Sequence, residues 1–198
     1  SYPNSSTDIA TTNTPDGNVD KDDNGTQTTA GGAVTSKVIE LLGGTEPTGT
    51  AEQGTGGAQD DASDANGNMT LDFGFFKPAS LGDTLFVDNN ANGLQDPGEP
   101  GVQGIVVKLL NPDGTPAKDA SGNPVADVTT GPDGKYTFNN LKPGTPYVVQ
   151  FGTKPGLVIT DANKGTDDTK DSDAKPDGKT DPITLSSGDT NKTVDAGY

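Results

Sequence analysis

The sequence predicts an all-β chain built from sandwich modules. Its apolar residues come in short β-branched or alternating runs, turn tetrapeptides rich in Gly, Pro, Asn and Asp separate those runs, and no stretch repeats at helical spacing. Over 198 residues, 28% are hydrophobic, with 28 glycines and 15 prolines, which is too little apolar matter for one large core. Thin sandwiches with much exposed turn suit that composition, especially if bound metal adds stability.

An internal echo sets the organisation. Asn68-Met69-Thr70-Leu71-Asp72-Phe73-Gly74-Phe75 and Asn191-Lys192-Thr193-Val194-Asp195-Ala196-Gly197-Tyr198 share the template N-x-T-apolar-D-x-G-aromatic, and each reads as a closing strand. Before each lies an apolar segment (38–42 and 183–185), and before that an acidic cluster: Asp16, Asp20, Asp22, Asp23 and Asn24 in the first case, Asp167, Asp168, Asp171, Asp173 and Asp177 in the second. Residues 1–77 therefore read as the C-terminal part of an incomplete module, and 78–198 as a complete one, joined by a short linker over 76–80. Preceding chain or another protomer would complete the first. Residues 43–68, rich in Gly, Thr, Ala and Asp, read as a loop, a tether or a functional excursion between strands.

In the second module, 81–87 alternates apolar and polar residues, and 102–110 is short and β-branched, so both are expected as strands. Asn111-Pro112-Asp113-Gly114 and Ser121-Gly122-Asn123-Pro124 are turns, the former capping an edge hairpin. Pro132-Asp133-Gly134 leads into the strand of Tyr136 and Phe138, and Lys142-Pro143-Gly144 into that of Tyr147, Val149 and Phe151. These residues, with Leu141, are expected to face inward. About seven strands in such a length is the size of an immunoglobulin-like sandwich.

Between the first two strands, 88–99 has the spacing of a twelve-residue calcium loop. Asp88, Asn90, Asn92, Asp96 and Glu99 place oxygens at positions one, three, five, nine and twelve, Gly93 sits at six, and Leu94 at seven can offer its carbonyl. A large, hard cation needs six to eight oxygens, and the glycine permits the sharp turn that gathers them. A solvated Asp/Asn/Gly turn is the plainer reading of such residues, but it does not call for five positions at once.

There are 29 acidic residues against 13 basic ones, all lysine, and no histidine, giving a formal net charge of −16. A polyanionic nucleic acid would be repelled, and divalent cations are the natural counter-ions. Acidic pairs can serve glycosidases, yet here they lie in polar, Gly-rich loops with neither histidine nor cysteine as base or nucleophile, so no enzyme is expected. Without cysteine there are neither disulfides nor thiolate metal sites. No apolar run approaches the roughly 20 residues of a membrane span, and the start is not a signal peptide, as for a mature chain or fragment. Calcium sites of ordinary affinity stay filled outside cells, which favours an extracellular or cell-surface location.

The opening L-G-D-x-x-F-x-D-x-N-x-N-G-x-x-D-x-G-E, the middle T-x-x-D-G-x-Y-x-F-x-x-L-x-P-G-x-Y, the D-S-D cluster and the closing V-D-A-G-Y resemble the B-type, Cna-B-like repeat of serine-aspartate repeat bacterial surface adhesins. The resemblance covers 78–198, and 1–77 weakly. It implies calcium-binding β-sandwiches strung into a stiff stalk, with Asp88, Asn90, Asn92, Leu94, Asp96 and Glu99 as one ligand set and Asp167, Asp168, Asp171 and Asp173 as a second. Asp20 and Asp22 hold the corresponding place in the first module. Related collagen-adhesin modules carry a lysine isopeptide bond, but the opening strand here has no lysine, and Lys108 reads as an ordinary exposed strand residue.

The expected function is structural: a calcium-rigidified repeat of a surface adhesin, stalk or fibre, contacting neighbouring modules or identical protomers and able to assemble head to tail into a filament. The alternative is a calcium-dependent module that itself binds a host or matrix ligand through its acidic loops.

Overall fold

The computed structural model describes residues 4–6, 25–29, 31–36, 44 and 73–198. Asp20, Asp22, the rest of the N-terminal acidic cluster, 38–42 and 68–72 lie outside them, as does 43–68 apart from Gly44. The chain divides into two compact units, Ser1–Lys77 and Pro78–Tyr198. Every regular element among the described residues is a strand.

In the first unit, β1 (Asn4–Ser6) pairs antiparallel with β4 (Gly74–Phe76), Ser5 opposite Phe75. Two short strands, β2 (Thr26–Gln27) and β3 (Val34–Thr35), form a hairpin. Gly31 takes φ +72° at its tip, a left-handed conformation that glycine adopts without strain.

The second unit contains β5 (Ala79–Leu81), β6 (Leu85–Phe86), β7 (Val106–Leu110), β8 (Val128–Thr129), β9 (Phe138–Leu141), β10 (Pro146–Phe151), β11 (Ile183–Thr184), β12 (Thr190–Asn191) and β13 (Ala196–Gly197). One sheet has the order β11-β10-β7-β8, a second β12-β5-β9, and β13 pairs with β6. This is the all-β, immunoglobulin-like architecture expected from the strand pattern.

Alternation decides what is inside. Along β7, Val107 and Leu109 are buried while Val106 and Lys108 are exposed, the period-two signature of a strand with one covered face. Tyr136, Phe138, Leu141, Tyr147, Val149 and Phe151 all lie in the core, as their spacing predicts. The Tyr136 ring meets Phe138 and Phe151 edge-on, each with centroids 5.8 Å away, the arrangement that aromatic quadrupoles favour.

Three expected strands are shorter than the sequence suggests. The run over 81–87 breaks at Gly82 and Asp83: Gly82 adopts φ +152°, and a Cβ there would stand 2.3 Å from the Tyr136 carbonyl oxygen. The chain changes partners at that point, from β9 and β12 to β13. The closing run breaks in step, where Asn191 Oδ1 accepts from the Thr193 amide at 2.9 Å. In the third, 102–110, pairing starts only at Val106, after Gly104 turns with φ +84°.

Both breaks fall in one parallel pair. Ser80 faces Thr190 and Leu81 faces Asn191, and beyond the gap Leu85 faces Ala196 and Phe86 faces Gly197. Four steps on the first chain therefore match five on the second, and the extra residue puts Asp195 against Thr84.

Candidate metal centre

The loop 88–99 is curled by its own side chains. Asp88 Oδ2 accepts from the Gly93 amide at 2.8 Å, Asn90 Oδ1 from the Asn92 amide at 3.1 Å, and Asn92 Oδ1 from the Leu94 amide at 2.8 Å. Short polar side chains thus take backbone amides a few residues on, the usual device of Asx turns. Ala91 and Gly93 supply left-handed turns at φ 57° and 80°.

Glu99 closes the ring. One carboxylate oxygen accepts from the Asn89 amide at 2.8 Å and the other from the Asp96 amide at 2.9 Å. Asp96 Oδ2 accepts from the side-chain amides of both Asn90 and Asn92, each at 2.9 Å. All five oxygen-bearing side chains of the predicted set are therefore drawn into one loop. Leu94, half-buried, is bridged to Asp171.

The loop is anchored to the body at its first residue. The Asp88 amide donates to the Tyr198 carbonyl at 2.8 Å, and the Thr160 hydroxyl donates to Asp88 Oδ2 at 2.6 Å. Burial pushes the Asp88 carboxyl up, but the Thr160 hydroxyl and the Gly93 and Asn92 amides outweigh it and hold it below its ordinary value. The site thus favours an ionised Asp88, as a cation ligand must be.

The members of the second predicted set take different partners. Asp167 and Asp168 are exposed in a turn, where Asp167 Oδ1 accepts from the Thr169 hydroxyl at 2.6 Å and Oδ2 pairs with Lys170 at 3.2 Å. Asp171 is buried beside the loop, and Asp173 faces Asp195 across two hydrogen bonds: the Asp195 amide donates to Asp173 Oδ2 at 2.8 Å, and the Asp173 amide to the Asp195 carbonyl at 2.8 Å. Lys108 pairs at 3.5 Å with Asp127, half exposed, rather than approaching Asp195.

Burial dominates the electrostatics of this inner group. It raises the Asp195 carboxyl to about 8, with the charges of Asp83, Asp173 and Asp171 adding to it, and raises Asp173 to about 7, with Asp171 and Asp168 adding.

Among the described residues, no three carboxylates already converge as a set able to hold an ion. The donors of 88–99 nevertheless fit calcium in kind, being carboxylate, amide and backbone oxygens on a loop bent by glycine.

The profile of the SdrD B-like domain matches residues 79–198. The chain belongs to the SdrD B-like domain family. It is 36% identical over 142 residues to serine-aspartate repeat-containing protein F of Staphylococcus epidermidis, covering 65% of this chain and 8% of that protein. It is 35% identical over 164 residues to serine-aspartate repeat-containing protein D of Staphylococcus aureus strain Newman, covering 77% of this chain and 11% of that protein. The chain thus spans about a tenth of the relatives it matches. The B-like domain is a repeat module of serine-aspartate repeat adhesins and not an enzyme. No helix among the described residues is long and apolar enough to cross a membrane.

Sequence reasoning assigned no site role to three residues of this module: buried Asp195 and half-buried Thr160 and Asp83. Asp195 carried a legible signal, an acid flanked by Val194 and Ala196 in a run otherwise bound for the core. Asp83 stood in the quoted L-G-D motif, and Thr160 carried no signal.

Proposed function

We propose that this chain is a calcium-stabilised structural repeat of an extracellular surface adhesin, stalk or fibre. One observation carries the reading: the same loop whose ends are tied by Glu99 is fastened through the Asp88 amide to the carbonyl of Tyr198. Ordering 88–99 therefore orders the closing strand.

Calcium bound there would supply positive charge to a chain of net charge −16 and draw oxygens from both sides of the loop onto one centre. Asp88, Asn90, Asn92, Asp96 and Glu99 would contribute side-chain oxygens and Leu94 its carbonyl. In the finer reading, such modules join head to tail through sheet edges offered to a neighbouring module or an identical protomer. That contact is heterologous and propagates rather than closing.

Thermal unfolding and light scattering at matched ionic strength, with excess calcium and with chelator, test both levels. A large calcium-dependent rise in melting temperature supports the stabilised repeat, and growth in particle mass supports the filament. A rise without growth leaves a stalk repeat. No rise overturns the calcium reading.

A further inference from the structure

Of the asparagines in the second unit, Asn92 alone precedes a glycine. That pairing is among the most reactive an asparagine can have, because glycine has no Cβ to shield its amide nitrogen or restrict its backbone. The fold nonetheless requires glycine here. Gly93 is buried with φ +80°, and a Cβ on it would stand 2.5 Å from Lys164 Cγ and 2.7 Å from the Asp161 carbonyl oxygen.

The loop also demands an amide at position 92. Asn92 Oδ1 accepts from the Leu94 amide at 2.8 Å while its Nδ2 donates to Asp96 Oδ2 at 2.9 Å, and a carboxylate cannot fill both roles. The same two bonds restrain the side chain at both of its polar atoms. The Gly93 amide, which would be the attacking group, is held by Asp88 Oδ2 at 2.8 Å. The closed loop therefore engages both reacting groups, although Asn92 itself is exposed to water.

We propose that Asn92 is a site of spontaneous covalent modification, guarded while the loop 88–99 is closed and converted once it opens. The Gly93 nitrogen loses its proton and attacks Asn92 Cγ. The N–Cγ bond forms, the Cγ–Nδ2 bond breaks, and ammonia leaves with the proton. Water then opens the five-membered imide at either carbonyl, giving aspartate or, with the main chain rerouted through the side chain, isoaspartate. Neither product closes the loop as before. Aspartate sets a carboxylate against Asp96 where an amide had donated, and isoaspartate adds a backbone atom beside the tightly packed Gly93. The change runs one way, so it records that the loop has opened. It stands apart from the calcium reading, because the guards are hydrogen bonds of the protein itself.

The full chain and a synthetic peptide of residues 86–98, both incubated in chelator at mildly alkaline pH, test this by peptide mapping with mass spectrometry. Asn92 should convert at least about tenfold more slowly in the chain, because reaction waits for the loop to open. Asp88→Ala frees the Gly93 amide and Asp96→Ala frees the side chain, so each should speed conversion. Asp113→Ala, which loosens a turn elsewhere, should not. If neither loop variant folds, the parent in urea below its unfolding midpoint serves instead, and conversion should climb before the main transition. Equal rates in chain and peptide overturn the proposal. So do loop variants that convert no faster than the parent, or urea rates that stay flat up to the main transition. Asn92→Asp should melt below the parent in chelator, and an equal or higher melting temperature overturns the claim that the product does not reclose.

Discussion

The amide of Thr84 donates to the carboxylate of Asp195, 111 residues away in sequence, at 3.0 Å, and the amide of Ala196 returns a bond to the Thr84 carbonyl at 3.2 Å. One acidic side chain thus stands in for the backbone ladder at the point where the first and last strands of the second unit both break. The arrangement works while the carboxylate is satisfied or neutral, and it becomes a liability once the group is ionised without a counter-charge.

That liability sets a pH dependence. Burial first, and neighbouring carboxylates second, hold Asp195 and Asp173 at about 8 and 7, against an ordinary value of 3.8. An acid that binds its proton more tightly when folded contributes stability below its unfolded pKa, and that stability is lost as pH rises through the folded one. In chelator, the melting temperature should therefore fall from pH 5 to pH 8. A flat or rising profile in chelator contradicts the shifts.

Gly93→Ala should damage the loop more than Gly98→Ala. Both glycines have positive φ, at 80° and 96°, but a Cβ on Gly93 would stand 2.7 Å from the Asp161 carbonyl oxygen, whereas one on Gly98 meets nothing within 4 Å. We expect about 1 kcal/mol for Gly98→Ala from backbone strain alone and about 2–3 kcal/mol for Gly93→Ala. Urea denaturation of both variants checks the order.

Glu99→Gln keeps the shape of the side chain and removes its charge. The amides of Asn89 and Asp96 then face a weaker acceptor, at a cost of about 1 kcal/mol in chelator. Calcium affinity should fall on the order of tenfold or more, about 1.4 kcal/mol. Titration with a competing chelator dye measures it.

Tyr136→Phe tests the core beside the strand break. The ring packing on Phe138 and Phe151 survives, but the hydroxyl that donates to the Val194 carbonyl at 2.7 Å is lost. A destabilisation of about 1–2 kcal/mol is expected by chemical denaturation. Lys108→Ala, at an exposed pair, should change stability by less than about 0.5 kcal/mol.

Local pattern made much of this unit legible. The alternation through Tyr147, Val149 and Phe151 named core residues correctly, and the spacing of Asp88 to Glu99 marked a loop that does curl on its own oxygens. Long-range pairing was not legible. Nothing local says that 81–87 must change partners at Gly82, because that break depends on the Tyr136 backbone, more than fifty residues away. For the same reason the four acids read as one cluster take different partners: Asp167 is held by its neighbours Thr169 and Lys170, while Asp173 is claimed by Asp195 from the far end of the chain.

The parallel course of the opening and closing strands has a mechanical meaning. Strands that run the same way carry their outer ends at opposite extremes of the pair, so tension applied at Pro78 and Tyr198 pulls β5–β6 and β12–β13 lengthwise past each other. The hydrogen bonds of the pair then bear the load together rather than opening one after another like a zip. Thr84 and Asp195, the interlock in the middle of that seam, lie directly in the path of the force.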